Sequence, residues 1–141
     1  MGKVKEELPY TYLGPFNDLV YPKNYHFPRP PKPFFDMEGS KIIIEKDAQL
    51  NSGIYIWTHT HQFQKSNWRK LPRAGHIKSD KPTILKEGCF LGCNVIITHK
   101  CKQIGKYSVI GAGSIVTKDV PDYEIWAGNP AKKIGDVSKE E

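Results

Sequence analysis

No run of apolar residues in this 141-residue chain approaches the roughly 18 that cross a bilayer, so a membrane-spanning helix is excluded. The opening MGKVKEELPY lacks the apolar stretch of a signal peptide, and no small hydroxyl residue follows Gly2 at myristoylation spacing. The expectation is a cytoplasmic protein. Cysteine is scarce: Cys89, Cys93 and Cys101 cannot all pair, and the C-x3-C spacing has no second pair behind it to make a zinc ribbon. Reduced, mostly buried thiols are expected. There is no zinc finger, no RNP-like aromatic run and no evident recognition helix, so nucleic acid is not the expected partner. A G-x-x-x-x-G-K-[ST] phosphate loop is missing too.

What is present suffices for a core. The chain is 38% hydrophobic, which argues against wholesale disorder, and its 12 Gly and 11 Pro point to a turn-rich fold. The net charge of +6 fits either a solvated surface or an anionic partner. Residues 1–40 stand apart. They hold seven of the eleven prolines and a series of aromatics, Tyr10, Phe27 and Phe35 among them. Proline opposes helix and central strand, while the aromatics need something to pack on. An extended arm lying on the body or on a neighbouring subunit is expected.

From residue 41 a repeat emerges. Aliphatics recur every six positions: Ile44, Leu50, Ile56; then Leu85, Leu91, Ile97; then Ile104, Ile110, Val116. Four places after each stands a companion: Ala48, Ile54, Thr60; Cys89, Val95, Cys101; Ser108, Ser114, Val120. One extra residue separates the second set from the third. A period of six suits a short flat strand plus a turn, three of which close a triangular coil with the aliphatic on its axis. Gly92, Gly105 and Gly111, each directly after an aliphatic, ease the corners. The expected fold is all-β, a parallel β-helix over residues 41–141. A loop over 59–82 is extruded from it, and the stretch Tyr123–Val137 folds back before a short polar tail. That loop is rich in cations, and long loops in compact domains are usually functional or disordered.

The run IGAGS at 110–114, VTKDVP at 116–121 and AGNPAK at 127–132 closely resembles the C-terminal signature of the hexapeptide-repeat acyltransferases. GIYIWTHTHQ at 53–62 and KPTILKEGCFLGCNVI at 81–96 look like two further stretches of that family, whose members include maltose, galactoside and polysaccharide sugar O-acetyltransferases. The resemblance covers residues 41–135 and implies a left-handed parallel β-helix, usually a homotrimer with sites between subunits. It implies acetyl transfer from acetyl-CoA to a hydroxyl or amine, here expected to be O-acetylation of a sugar or sugar-containing acceptor. N-acetylation of an amino or nucleotide sugar, a silent scaffold and a zinc hydratase are the alternatives.

An alcohol needs a base near neutral pKa, and histidine suits that best. His59 and His61 would share a side of one strand, so spacing leaves both open. The resemblance places the base on His61. His59 and Asn51, the latter beside core residue Leu50, are candidates for the acceptor, with a turn-forming role the alternative for Asn51. The resemblance also puts backbone donors for the oxyanion near Gly92 and Cys93. Gly111, Ala112, Gly113 and Ser114 would line the pantetheine groove, and Lys118, Lys132 and Lys133 would meet the pantetheine or phosphates. Phe90 stands where the family has tryptophan. His99 with His59 and His61 lacks the family's zinc pattern, so no metal is expected.

Overall fold

The computed structural model describes residues 7–61, 76–77 and 80–139, the side chains of 61, 76 and 77 excepted. The described residues contain sixteen strands, nearly all of two or three residues. They are β1 (Thr11–Leu13), β2 (Leu19–Val20), β3 (Phe34–Asp36), β4 (Ile42–Ile44), β5 (Gln49–Leu50), β6 (Tyr55–Ile56), β7 (Thr60–His61) and β8 (His76–Ile77). There follow β9 (Thr83–Leu85), β10 (Phe90–Leu91), β11 (Ile96–Ile97), β12 (Gln103–Ile104), β13 (Val109–Ile110), β14 (Ile115–Val116), β15 (Glu124–Gly128) and β16 (Ala131–Asp136).

The chain winds through three sheets in turn. The first stacks β1-β3-β6-β11-β14, the second β2-β4-β9-β12 and the third β5-β10-β13-β15-β16, with parallel pairing except for the final β15–β16 hairpin. The register stacks repeat on repeat: Leu50 on Leu91 on Ile110, and Ile56 on Ile97 on Val116. All nine hexad aliphatics are buried and form one apolar column. This is a left-handed parallel β-helix.

The corners explain the period. Three residues after a hexad aliphatic the backbone turns left-handed, at Asp47, Gly53, Gly88, Asn94, Tyr107 and Gly113, with φ between 52° and 74°. Most of these are the residue types that tolerate this region. The companion that follows turns back inward, and at Ser108 and Ser114 its hydroxyl donates to the carbonyl of Gly105 and Gly111 at 2.7 and 2.6 Å. Gly92 serves a different purpose. A Cβ there would sit 2.6 Å from the Ala112 nitrogen, so only glycine lets the two coils stack.

The expected companion Thr60 leaves the coil. It opens β7, which pairs antiparallel with β8 and forms the stem of the extruded loop, His61 opposite His76. Thr58 is buried instead. Most of the cation-rich loop lies outside the described residues.

The Pro- and aromatic-rich segment adds rungs to the coils. β3 pairs with β6, β1 with β3, and β2 with β4. Tyr10 packs against Phe27 and Phe35 with ring centroids 5.3 and 5.7 Å apart, and Tyr10, Leu19, Phe35 and Met37 join the core. At the other end Trp126 stacks on the Ile110 rung and β16 folds back over it. Among the described residues no helix is long and apolar enough to cross a membrane.

Candidate active site

Three corners run the length of the helix. The one joining the first sheet to the second is irregular. It is the corner of the extruded loop, of the extra residue between Ile97 and Ile104, and of both His59 and His99. Among the described residues its only left-handed position is Gly14, in the segment before the hexads, and the described residues of its hexad coils have none.

Asp36, at the end of β3, organises it. Its fully buried carboxylate accepts the backbone N–H of Thr58 at 2.9 Å and of His59 at 3.2 Å through Oδ2, and of Glu38 at 3.1 Å through Oδ1. The same Oδ2 lies 2.6 Å from His59 Nδ1. On the other side of the ring, His59 Nε2 lies 3.3 Å from Glu38 Oε2. Burial alone would raise the Asp36 carboxyl pKa, but the hydrogen bonds from Thr58, His59 and Glu38 outweigh it and hold the group below its ordinary value. The Thr58 hydroxyl donates to the Asp36 carbonyl at 2.7 Å and accepts the N–H groups of Gly39 and Ser40 at 3.0 and 3.1 Å. Gly39 lies so close to the Thr58 carbonyl that any side chain would collide.

His59 faces a cleft of about 300 Å³ shared with Trp57, Thr60, Thr98 and His99. Trp57 is braced by Phe34, ring centroids 5.1 Å apart. The His99 pKa is lowered, by burial first and then by the charges of Lys100, Lys102 and His59. The backbone of His61 continues β7 from this corner, and its side chain lies outside the described residues.

Asp36, Glu38 and His59 also bring ligand atoms within 4.8 Å of one another, a grouping that suits a cation. The 2.6 Å carboxylate–imidazole separation is that of a hydrogen bond.

Most of the residues assigned by resemblance to the coenzyme lie elsewhere. Gly92, Cys93, Gly111 and Ala112 form the corner joining the third sheet to the first, where the Gly113 N–H donates to the Cys93 carbonyl at 2.9 Å. Within one chain that corner and the histidine corner sit at opposite edges of the first sheet. Asn51 occupies the glycine corner too. Its amide donates to the Leu91 carbonyl at 2.7 Å, tying adjacent coils, and it lines a groove of about 730 Å³ against residues 22–29. Lys118 stands on the histidine corner's last coil with its ammonium 5.6 Å over the Trp126 ring. Lys132 is exposed on β16, while Lys133 pairs with Asp136 at 2.9 Å and Glu124 at 3.6 Å. Phe90 is exposed on the third sheet. Cys89 and Cys101 are buried with thiols pushed up to about 12 by burial, and Cys93 is exposed.

Asp36 and Glu38 carry no sequence signal. They precede the first hexad, and their tie to His59 spans slightly more than one coil.

No protein-family model matches the chain. It is 32% identical over 120 residues to the galactoside O-acetyltransferase of Lactococcus lactis subsp. lactis, covering 81% of this chain and 55% of that one. Over 55 residues it is 47% identical to dTDP-3-amino-3,6-dideoxy-alpha-D-galactopyranose 3-N-acetyltransferase of Aneurinibacillus thermoaerophilus, 39% of this chain and 28% of that one. A galactoside acetyltransferase solved in complex with coenzyme A superposes with a TM-score of 0.75 at 22% identity, over 91% of this chain and 60% of that one. The chain thus spans between about a quarter and just over half of the curated relatives it matches first. Its relatives and structural neighbours are hexapeptide-repeat acetyltransferases, galactoside O-acetyltransferase among them, and its parallel coils are the left-handed β-helix of that family.

Proposed function

We propose that the chain transfers acetyl from acetyl-CoA to a hydroxyl of a sugar or sugar-containing acceptor, with His61 as general base. The carrying observation is the histidine corner: an imidazole fixed by a buried carboxylate, beside a cleft, in a coil stack whose relatives are acetyltransferases. His59 meets a carboxylate at each ring nitrogen, an arrangement that anchors the strand start. It is the positioning residue. His61, two residues on, takes the acceptor's proton as its oxygen attacks the thioester carbonyl. The oxyanion is held by backbone N–H groups near Gly92 and Cys93. The tetrahedral intermediate then collapses, and the coenzyme thiolate leaves with the proton that the imidazole returns.

Gly111 and Ala112 line the pantetheine path, and Lys118, Lys132 and Lys133 serve the pantetheine or phosphates. Lys133 comes to that role already paired to two carboxylates. A cleft that combines the histidine and glycine corners needs two copies of the chain, which supports a homotrimer with sites between subunits. The relative acting on an amino sugar keeps N-acetylation as the second reading.

The test is acetyl-CoA turnover, followed by thiol release across neutral, amino and nucleotide sugars. His61→Ala should lose about 10²–10⁴ in rate with coenzyme binding intact. His59→Ala should cost less in rate and more in thermal stability. An inactive His59→Ala beside an active His61→Ala would move the base to His59, and two active variants would end the histidine mechanism.

A further inference from the structure

We propose that Trp57 is a stacking platform that selects a single pyranose ring as the acceptor, held by its C–H face with its hydroxyls turned to the histidine corner. The proposal rests on reading the adjoining cleft as the acceptor site.

Alternation along β6 points Tyr55 outward, Ile56 inward and Trp57 outward again. On the next coil Ile96 and Ile97 repeat the pattern, and Thr98 takes the place beside Trp57. The ladder fixes both: the Trp57 N–H donates to the Ile97 carbonyl at 2.9 Å and the Thr98 N–H to the Val116 carbonyl at 3.0 Å. The outward row of Phe34, Tyr55, Ile96 and Ile115 is aromatic or aliphatic throughout. The row one step nearer the corner is not. There an indole stands beside a threonine, and the drop in size from one rung to the next opens the cleft of about 300 Å³.

The indole is held from one side. Phe34, on the coil before, meets it with ring centroids 5.1 Å apart and is itself backed by Tyr55 at 5.6 Å. The cleft opens on the other side, toward the following coil. Its remaining lining is polar: His59 and Thr60 from the coil of Trp57, Thr98 and His99 from the next. Trp57 is half-buried, so part of its ring surface stays open to a ligand. The Thr98 hydroxyl donates to the Val116 carbonyl at 3.1 Å and keeps a lone pair for an incoming donor. The His99 ring makes no hydrogen bond among the described residues. An aromatic wall ringed by four polar side chains suits a ligand with the same two characters. A pyranose has them. Its ring C–H bonds present a weakly positive apolar face to the negative face of an aromatic ring, while its hydroxyls radiate from the rim. The cleft is at the small end of ligand pockets, with room for one ring and not for a chain of them. A ring stacked on Trp57 turns its hydroxyls toward His59, Thr60 and His99, and so toward the strand that carries His61.

The test is titration calorimetry on the full chain without acetyl-CoA, using methyl glucoside, methyl galactoside and galactitol, an open-chain polyol with no ring face. The pyranosides should bind at least about tenfold more tightly than galactitol, the ratio that one well-made aromatic contact supplies. Trp57→Ala should erase that preference, and Trp57→Phe, which keeps a smaller ring, should retain part of it. Coenzyme A affinity should be unchanged in both. In wild type, the indole N–H proton resonance that Trp57→Phe removes should shift with the pyranosides and stay in place with galactitol, a readout that needs no folded alanine variant. Equal binding of the three compounds, a resonance unmoved by the pyranosides, or a preference that survives Trp57→Ala overturns the proposal. So does a Trp57→Ala variant that sediments at a lower mass than wild type, because the ring then belongs to a contact between copies. Acetyl transfer is read separately. Trp57-dependent binding of pyranosides without transfer keeps the platform and sinks the acetyltransferase reading. Transfer to pyranosides and galactitol with one common KM does the reverse.

Discussion

At the scale of single residues, the arrangement around Asp36 turns on one buried carboxylate that satisfies three backbone N–H groups and an imidazole nitrogen. Its pKa is held below the ordinary value, so the sign of its contribution follows. The stabilisation is complete above the unfolded carboxylate value of about 3.9 and is lost as pH falls past it toward the lower folded value. Wild type should therefore lose denaturant stability steeply below about pH 4. Asp36→Asn should be less stable at pH 7 by about 1.5–3 kcal/mol, the range for hydrogen bonds to a charged group. The variant's profile through the acid range should also be flatter. Urea midpoints from pH 2.5 to 7 check both; parallel profiles would remove the ionised Asp36 from the account.

At the scale of elements, glycines that look alike in the sequence do different work. Gly92 has ordinary φ and no room, because the Ala112 backbone of the next coil lies against it. Gly113 has φ +73° and nothing within 4 Å of where a Cβ would stand. Gly92→Ala should cost about 1–3 kcal/mol or more through overpacking of two coils. Gly113→Ala should cost about 1–2 kcal/mol of local backbone strain and leave the stacking untouched. Thermal melts and amide exchange of the Ile96–Ile97 rung distinguish the two: only the Gly92 variant should open that rung. The left-handed turn repeats in the hexads at two corners, while the described hexad residues of the third, where coil lengths vary, have none. A corner freed from the six-residue turn can host an extruded loop and a pair of histidines, and that is where this chain places them.

At the scale of the molecule, the outward row of the first sheet is Phe34, Tyr55, Ile96 and Ile115, brought into line by the register. It lies between the histidine corner and the glycine corner. An apolar strip on that face is suited to burial against copies of the chain, which would set one copy's histidines near the other's Gly92 and Gly111. Sedimentation should give a mass about three times the 16.1 kDa chain. Ile96→Lys should dissociate the assembly and abolish transfer together, while the far-UV spectrum stays that of the coils. A monomeric wild type, or a monomeric variant with full activity, would count against sites between subunits.

The hexads over Ile44 to Val116 were legible because a solenoid core is local: each buried residue is set by its place in a six-residue turn, and the next coil repeats the rule. Register between coils, the expulsion of the loop after Ile56 and the identity of the inward companions follow from that rule wherever it holds. It fails at Thr60, where the chain leaves the coil and Thr58 is buried in its stead. It is silent for residues 11–36, whose strands follow no hexad and join the sheets through aromatic packing of Tyr10, Phe27 and Phe35. The THTH stretch marked the corner where the coil opens, and sequence spacing left His59 and His61 equivalent. The tie of His59 to Asp36, 23 residues away and one coil removed, was not legible, because only the winding of the backbone sets that carboxylate against His59.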